Sequence, residues 1–283
     1  MKLSMCTGYF ELSTPENAVL SLKEAGFSHG ELAVEHSLAL LERSGKIEKT
    51  GLAFRAFLED HGFSLPQGHL EFRNDMTTLE TVESLKKEIT LFQAIGIKNA
   101  VFHINGGLAL PEEARLDAQR RSLRELLDFV RGTELTICLE NLMTNPTIAD
   151  AGKLLQWIDQ LGDENLGICL DTGHLHRSRL SLHTTEQTLE EFILQAGKHL
   201  KATHIHSNDG INDLHLAPFT SRANSIDWAQ VIKALQKVGY DGLFNLEVPG
   251  ETESYPPAYI LQRKLLYLKD MLDYMFSEEF LAQ

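Results

Sequence analysis

The sequence predicts a (β/α)₈ barrel. Short apolar segments alternate with helical patterns from end to end, and no linker rich in Pro, Gly or Ser divides them. Seven of the segments also end in an acidic or imidazole side chain at intervals near one β-α unit. With 283 residues, 43% of them hydrophobic, the chain is long enough for one large domain or two small ones. The unbroken alternation favours a single domain over residues 1–283. A doubly wound open sheet is the alternative, but no G-x-G-x-x-G follows the first strand.

Taken in order, LSMCTGYF reads as a strand, because it lacks the apolar core of a signal peptide. Thr14-Pro15-Glu16 puts a capping residue before a proline suited to the first helical position. ELAVEH, FSLPQGHL and NAVFHIN follow as strands, and the glycines of KEAGF, EDHGF and QAIGI close the helices between them. The charged run Arg120–Glu125 is the solvated face of a helix, after which LTICLEN is the fifth strand. Asn145-Pro146 reads as a helix start, and LGICLD as strand six. ATHIH is strand seven, and Ser225-Ile226-Asp227-Trp228 opens the helix WAQVIKALQKVG before strand eight, GLFNLEV. The C-terminal helix YILQRKLLYLKDMLDYMF is expected to cover the barrel; mediating a homodimer is its other role.

Charge narrows the partners. Lys plus Arg is 26 and Asp plus Glu is 40, for a net charge of −14. Such a surface repels nucleic acid and anionic membranes at long range. No run of about 18 apolar residues suggests a membrane span. Cys6, Cys138 and Cys169 cannot all pair, and buried free thiols in a reducing cytoplasm are the simplest account. His29, His36, His61, His176, His183 and His199 bear no regular relation to the strand ends and read as surface or loop residues.

The strand ends are Glu35, His69, His103, Glu140, Asp171, His206 and Glu247, separated by 34, 34, 37, 31, 35 and 41 residues. In a barrel these positions share the C-terminal rim, while the apolar residues before them are expected to fill the interior layers. A lone His or Glu at a strand end is usually a satisfied hydrogen-bonding group. Repetition over successive strands is what points to a site. Glu35 has no further support. Converging carboxylates raise one another's pKa, a penalty that a divalent cation removes. Glu140, Asp171, His206 and Glu247 offer three carboxylates and one imidazole, a set suited to Mn²⁺, Mg²⁺ or Co²⁺, with Zn²⁺ also compatible.

The motifs LEN (139–141), LDTGH (170–174), HIHSND (204–209) and NLEV (245–248), with QGHL (67–70) and VFH (101–103), resemble the xylose isomerase-like TIM barrels. That superfamily contains sugar isomerases, sugar 3-epimerases, inosose dehydratases and endonuclease IV. The stretch DLHL (213–216) followed by IDW (226–228) looks like one common in the isomerase/epimerase branch. The resemblance implies a metal-dependent isomerase or epimerase of a sugar or sugar phosphate, working through a metal-stabilised enediolate. Glu140 and Glu247 would be its acid/base pair, and His174 would orient the substrate. The endonuclease IV pattern instead implies three zinc ions. His69 and His103 would join Glu140 on one, Glu140, Asp171, His206 and Glu247 would hold the second, and His174, Asp213 and His215 the third. An abasic-DNA phosphodiesterase and an inosose dehydratase-type lyase are therefore the alternatives. Arguing against the nuclease, LENLMTNP and GHLHRSRL depart from its usual continuations, and no basic stripe with interleaved aromatics is present. Arg177, Arg179 and Arg222 either contact a substrate phosphate or lie solvated on loops. The expected partner is thus a small sugar or polyol, not nucleic acid or membrane.

Overall fold

The computed structural model describes residues 1–73, 75–220, 225–250 and 257–282. Eight parallel strands run β1 (Lys2–Cys6), β2 (His29–Leu32), β3 (Ser64–His69), β4 (Asn99–Phe102), β5 (Thr136–Glu140), β6 (Leu166–Asp171), β7 (Leu200–His204) and β8 (Leu243–Leu246). From β1 to β7 each strand pairs with the next, and β1 also pairs with β8. The ring meets at Ile205, whose N–H donates to the Asn245 carbonyl (2.7 Å) and whose carbonyl accepts the Glu247 N–H (3.2 Å). Helices follow the strands around the outside, giving the (β/α)₈ barrel that the alternation predicts.

The helix signals act locally as expected in most places. Thr14 accepts from the Asn17 N–H at the start of helix Pro15–Glu24, and Asp227 caps helix Trp228–Lys237. Gly96 closes helix Leu79–Ile95 at φ 96°, a conformation that favours glycine. Asn145-Pro146 does not start a helix. Its side chain accepts from Thr147 instead, an Asx turn, and the helix begins at Ala151 with Asp150 as cap. The segment ELAVEH also divides: β2 stops at Leu32, and a helix runs Val34–Leu41, burying Val34, His36, Ser37 and Leu40. Glu35 is therefore in a first helical turn rather than at a strand end, and His36 is buried rather than a surface residue.

Alternation along the strands separates two environments. The bulky residues Leu32, Phe102, Leu139, Leu170 and Leu246 face outward into the main core beneath the helices. The inner apolar cluster is small, comprising Val101, Cys138, Cys169 and Ala202. Beside it the barrel interior buries Ser4, Glu31, Gln67 and Asn245. The interior is thus partly polar, not the stack of apolar layers expected from the strand sequences, because the large hydrophobes occupy the opposite parity. Cys6, Cys138 and Cys169 are buried free thiols. The C-terminal helix Ala258–Met275 packs Leu265, Leu268, Met271, Leu272 and Met275 into the core. Among the described residues, no helix is long and apolar enough to cross a membrane.

Helix Leu79–Ile95 carries a buried carboxylate, Glu88, which accepts the Glu71 N–H (2.9 Å) and the Ser37 hydroxyl. It ties the loop after β3 to the barrel wall. Burial pushes this carboxyl up to about 7, against the two hydrogen bonds. A carboxyl raised in the folded state stabilises below its unfolded value and loses that stabilisation as pH rises through the folded value. We expect Glu88→Gln to match the wild-type stability at pH 4 and to exceed it at pH 8, by up to about 3 kcal/mol. Equal pH profiles in thermal melts would remove Glu88 as the cause.

Candidate metal centre

Strand ends and the loops just beyond them bring the acidic and imidazole groups together at the mouth. Glu140 is the hub. Its Oε2 lies 2.9 Å from His103 Nε2, 3.5 Å from His69 Nε2 and 3.2 Å from His204 Nδ1, while Oε1 lies 3.0 Å from His174 Nδ1. Asp171 Oδ2 is 2.9 Å from His206 Nε2. Glu247 Oε2 is 3.3 Å from His204 Nδ1 and 3.5 Å from His215 Nδ1. Asp213 lies between His174 (3.4 Å) and His215 (3.5 Å). His206 and His215 stack, their ring centroids 3.8 Å apart.

The sequence motifs are the scaffolding of this arrangement. Asn141 of LEN exchanges two hydrogen bonds with the Asp171 backbone (2.8 and 3.0 Å), locking β5 to β6. Asp171 caps the helix Thr172–Arg177, accepting the His174 N–H on Oδ1 (2.6 Å) and leaving Oδ2 for His206. Thr172 accepts the His206 N–H (3.0 Å) and donates to the His206 carbonyl (2.7 Å). Asn208 of HIHSND donates to the Gly173 carbonyl (2.7 Å). Gly173 is there for space: a Cβ would stand 2.0 Å from His206 Cε1. Paired backbone hydrogen bonds between Ser207 and Leu216 (both 2.7 Å) then fold the segment bearing Asp213 and His215 over the site.

The ring nitrogens fit a cation. His69 Nδ1 sits on the Leu70 carbonyl (2.7 Å), His174 Nδ1 on that of Asn141 (3.0 Å), and His215 Nδ1 on that of Glu247 (3.0 Å). A proton on Nδ1 satisfies each carbonyl and leaves Nε2 as a lone pair facing a carboxylate. This is the orientation of metal-ligating histidines. Without a cation, protons must fill the gap. Burial opposes charge on His215, but Asp213 and Glu247 outweigh it and raise the ring to about 9; His174 is likewise held well above the ordinary imidazole value. Burial also works against the Asp171 carboxylate, yet His174 and His206 pull it down to about 2. Among the described residues, the sets His69–His103–Glu140, His174–Asp213–His215 and His206–His215–Glu247 each gather donor atoms within 4.8 Å of one another. These buried His, Glu and Asp clusters are suited to a divalent metal.

Other candidate positions lie elsewhere. Arg177 ends the helix after β6, its Nη1 2.8 Å from Met143 Sδ, and Arg179 lies in the following turn. Neither lines the central cavity, and Arg222 is outside the described residues. Glu35 stands at the cavity wall, 3.9 Å from Arg73. Sequence reasoning missed Glu31 and His204, both fully buried, together with their partners Gln67 and Asn245. Parity would have found three of them: Gln67, His204 and Asn245 each sit two residues before a rim residue, hence on the same inward face.

We expect metal binding to release protons at pH 7.5, since Asp213 and Glu247 raise His215 to about 9 in the metal-free chain, and to weaken as pH falls. Calorimetric titrations in buffers of different ionisation enthalpy measure the release, and none would contradict this electrostatic picture. Gly173→Ala should push His206 away from Asp171 and weaken metal affinity by about 10- to 100-fold with the fold retained. Unchanged affinity would mean that His206 is not at the centre.

Comparison with known proteins agrees with this architecture. The E. coli L-ribulose-5-phosphate 3-epimerase UlaE is 24% identical over 255 residues, covering 86% of this chain and 84% of that one. A probable endonuclease 4 of Ureaplasma parvum is 30% identical over 136 residues, 46% of this chain and 44% of its own. Three further curated relatives are matched over only 46% to 60% of their length. The crystal structure of a D-tagatose 3-epimerase-like protein superposes with a TM-score of 0.75 at 18% identity, covering 100% of this chain and 98% of that one. The sequence profile of the xylose isomerase-like TIM barrel family matches residues 19–271, and the chain belongs to that family.

Proposed function

We propose that this protein is a metal-dependent isomerase or epimerase of a sugar or sugar phosphate, working by proton transfer beside a carbonyl. One observation carries the reading: two carboxylates, one ending β5 and one just beyond β8, converge on one point in the cavity at the barrel mouth. Glu140 and Glu247 each bring Oε2 to within 3.3 Å of His204 Nδ1. The cavity above them has a volume of about 480 Å³ and apolar walls that include Tyr9, Phe72, Val34 and Leu214. That volume suits a small ligand largely removed from water.

A divalent cation held by Glu140, Asp171, His206 and Glu247 supplies Lewis acidity toward a carbonyl and its neighbouring hydroxyl, a role open to Mn²⁺, Mg²⁺, Co²⁺ or Zn²⁺. The chain's own groups do the rest. One glutamate takes the C–H proton next to the carbonyl, leaving an enediolate, and the other returns a proton to the same carbon from the opposite face. His174, anchored on Asn141 and beside Glu140 Oε1, orients the substrate's oxygens. The apolar walls shield part of a bound substrate from water and strengthen its polar contacts there. The name and near full-length match of the UlaE relative support this chemistry.

A second reading has its own support. The sets around His69–His103 and His174–Asp213 flank the first and would suit a multinuclear phosphodiesterase, as the endonuclease 4 relatives suggest. Metal content separates the two: one Mn, Mg or Co per chain favours the epimerase, and three Zn the nuclease. Incubating the protein with unmodified and phosphorylated ketoses in D₂O, followed by NMR, should show deuterium entering beside the carbonyl. Cleavage of an abasic oligonucleotide, or water loss from an inosose, would replace this reading with hydrolase or lyase. Glu247→Gln should lower exchange by at least about 100-fold. Near-normal exchange in that variant would sink the assignment of the acid/base pair.

A further inference from the structure

Beneath the rim lies a buried polar set to which the acid/base chemistry gives no task. Glu31, fully buried on β2, accepts from Gln67 Nε2, from Asn245 Nδ2 (2.6 Å) and from His204 Nε2, which is 3.1 Å from each carboxylate oxygen. Ser4 in turn donates to Asn245 Oδ1 (3.1 Å), fixing that amide so that its NH₂ faces Glu31. A buried carboxylate surrounded by donors is satisfied, and it holds the His204 proton on Nε2. On the neutral ring the opposite nitrogen, Nδ1, is then a lone pair.

That lone pair makes no hydrogen bond, although it is wholly buried. It points at three carboxylate oxygens: Glu140 Oε2 at 3.2 Å, Glu247 Oε2 at 3.3 Å and Asp171 Oδ2 at 3.8 Å. Four acceptors facing one another repel unless positive charge lies between them. The separations are those of atoms sharing one ion: donors about 2.1 Å from a metal stand about 3.0 Å apart at right angles and about 3.4 Å apart in a tetrahedron. His204 also groups with His69 and Glu247, and with Glu140 and Cys169, the donor atoms of each set lying within 4.8 Å of one another.

We propose that His204 is a further ligand of the metal at Glu140, Asp171 and Glu247, binding through Nδ1, and that Glu31 is the positioning residue that sets its tautomer. The chain would thus carry a carboxylate–histidine–metal relay running down into the barrel interior. The inference rests on the metal-centre reading above, and its test separates the two.

The full chain is freed of metal by chelation and titrated with Co²⁺ by calorimetry. The one-equivalent Cu²⁺ form is examined by pulsed EPR for histidine nitrogen couplings. His204→Gln keeps a donor near Nε2 for Glu31 and deletes the Nδ1 lone pair. It should weaken Co²⁺ binding by at least about 100-fold and lose one nitrogen coupling. Glu31→Gln should weaken binding by about 10- to 100-fold and shift the remaining coupling without deleting it. His204→Asn places an amide oxygen near the Nδ1 position. It should hold Co²⁺ to within about tenfold of wild type while losing the same coupling, which keeps the test decisive if the Gln variant does not fold. Wild-type affinity with all couplings retained in His204→Gln overturns the role of His204 alone. A wild-type chain that binds neither ion overturns the metal centre and this inference together.

Discussion

Buried like charges repel, and the mouth of this barrel is arranged around that constraint. Glu140, Asp171 and Glu247 face one another, with His69, His103, His174, His204, His206 and His215 interposed. In a medium of low dielectric their repulsion would cost more than a small domain's net stability if nothing compensated it. Imidazoles whose affinity for protons is raised by the carboxylates provide compensation in the metal-free chain, and the clustered donors suit a divalent cation that would provide it in a loaded one. The raised pKa of His215 and the depressed one of Asp171 are two views of this shared charge.

The second tier of residues follows from the first. Each carboxylate or imidazole must be aimed, and the aiming is done by groups that are themselves satisfied: Asn141 on the Asp171 backbone, Thr172 on the His206 backbone, Asn208 on the Gly173 carbonyl, and backbone carbonyls under three histidines. This explains why the motifs are longer than their ligands. LDTGH contains one candidate metal carboxylate, one hydroxyl clamp and a glycine kept small by a neighbouring imidazole, with His174 at its end. The polar barrel interior extends the same logic downward, since a histidine aimed at the centre from below needs Glu31 beneath it.

The stretch LGICLDTGHLH shows how much was legible. Its strand and the rim position of Asp171 follow from sequence order, whereas the expected apolar interior does not: Ile168 and Leu170 face outward into the main core, and Cys169 and Asp171 face inward. ELAVEH shows where legibility ends. Its apolar residues fit a strand or a helix, and the chain changes from one to the other at Ala33, so Glu35 leaves the strand and Glu31 becomes the inward carboxylate. Asn145-Pro146 is a similar case, because an Asn side chain that could cap a helix can equally close an Asx turn.

Read alone, the sequence establishes the barrel, the order of its elements and the recurrence of ionisable residues at or just beyond the ends of six strands, from His69 to Glu247, because periodicity and spacing are local and repeat along the chain. Which nitrogen meets which oxygen is set by long-range packing. Glu31 and His204 are 173 residues apart, and His174 and Asp213 are brought together by a loop pinned at Ser207 and Leu216. Such pairings depend on barrel closure and strand register, which no single segment encodes.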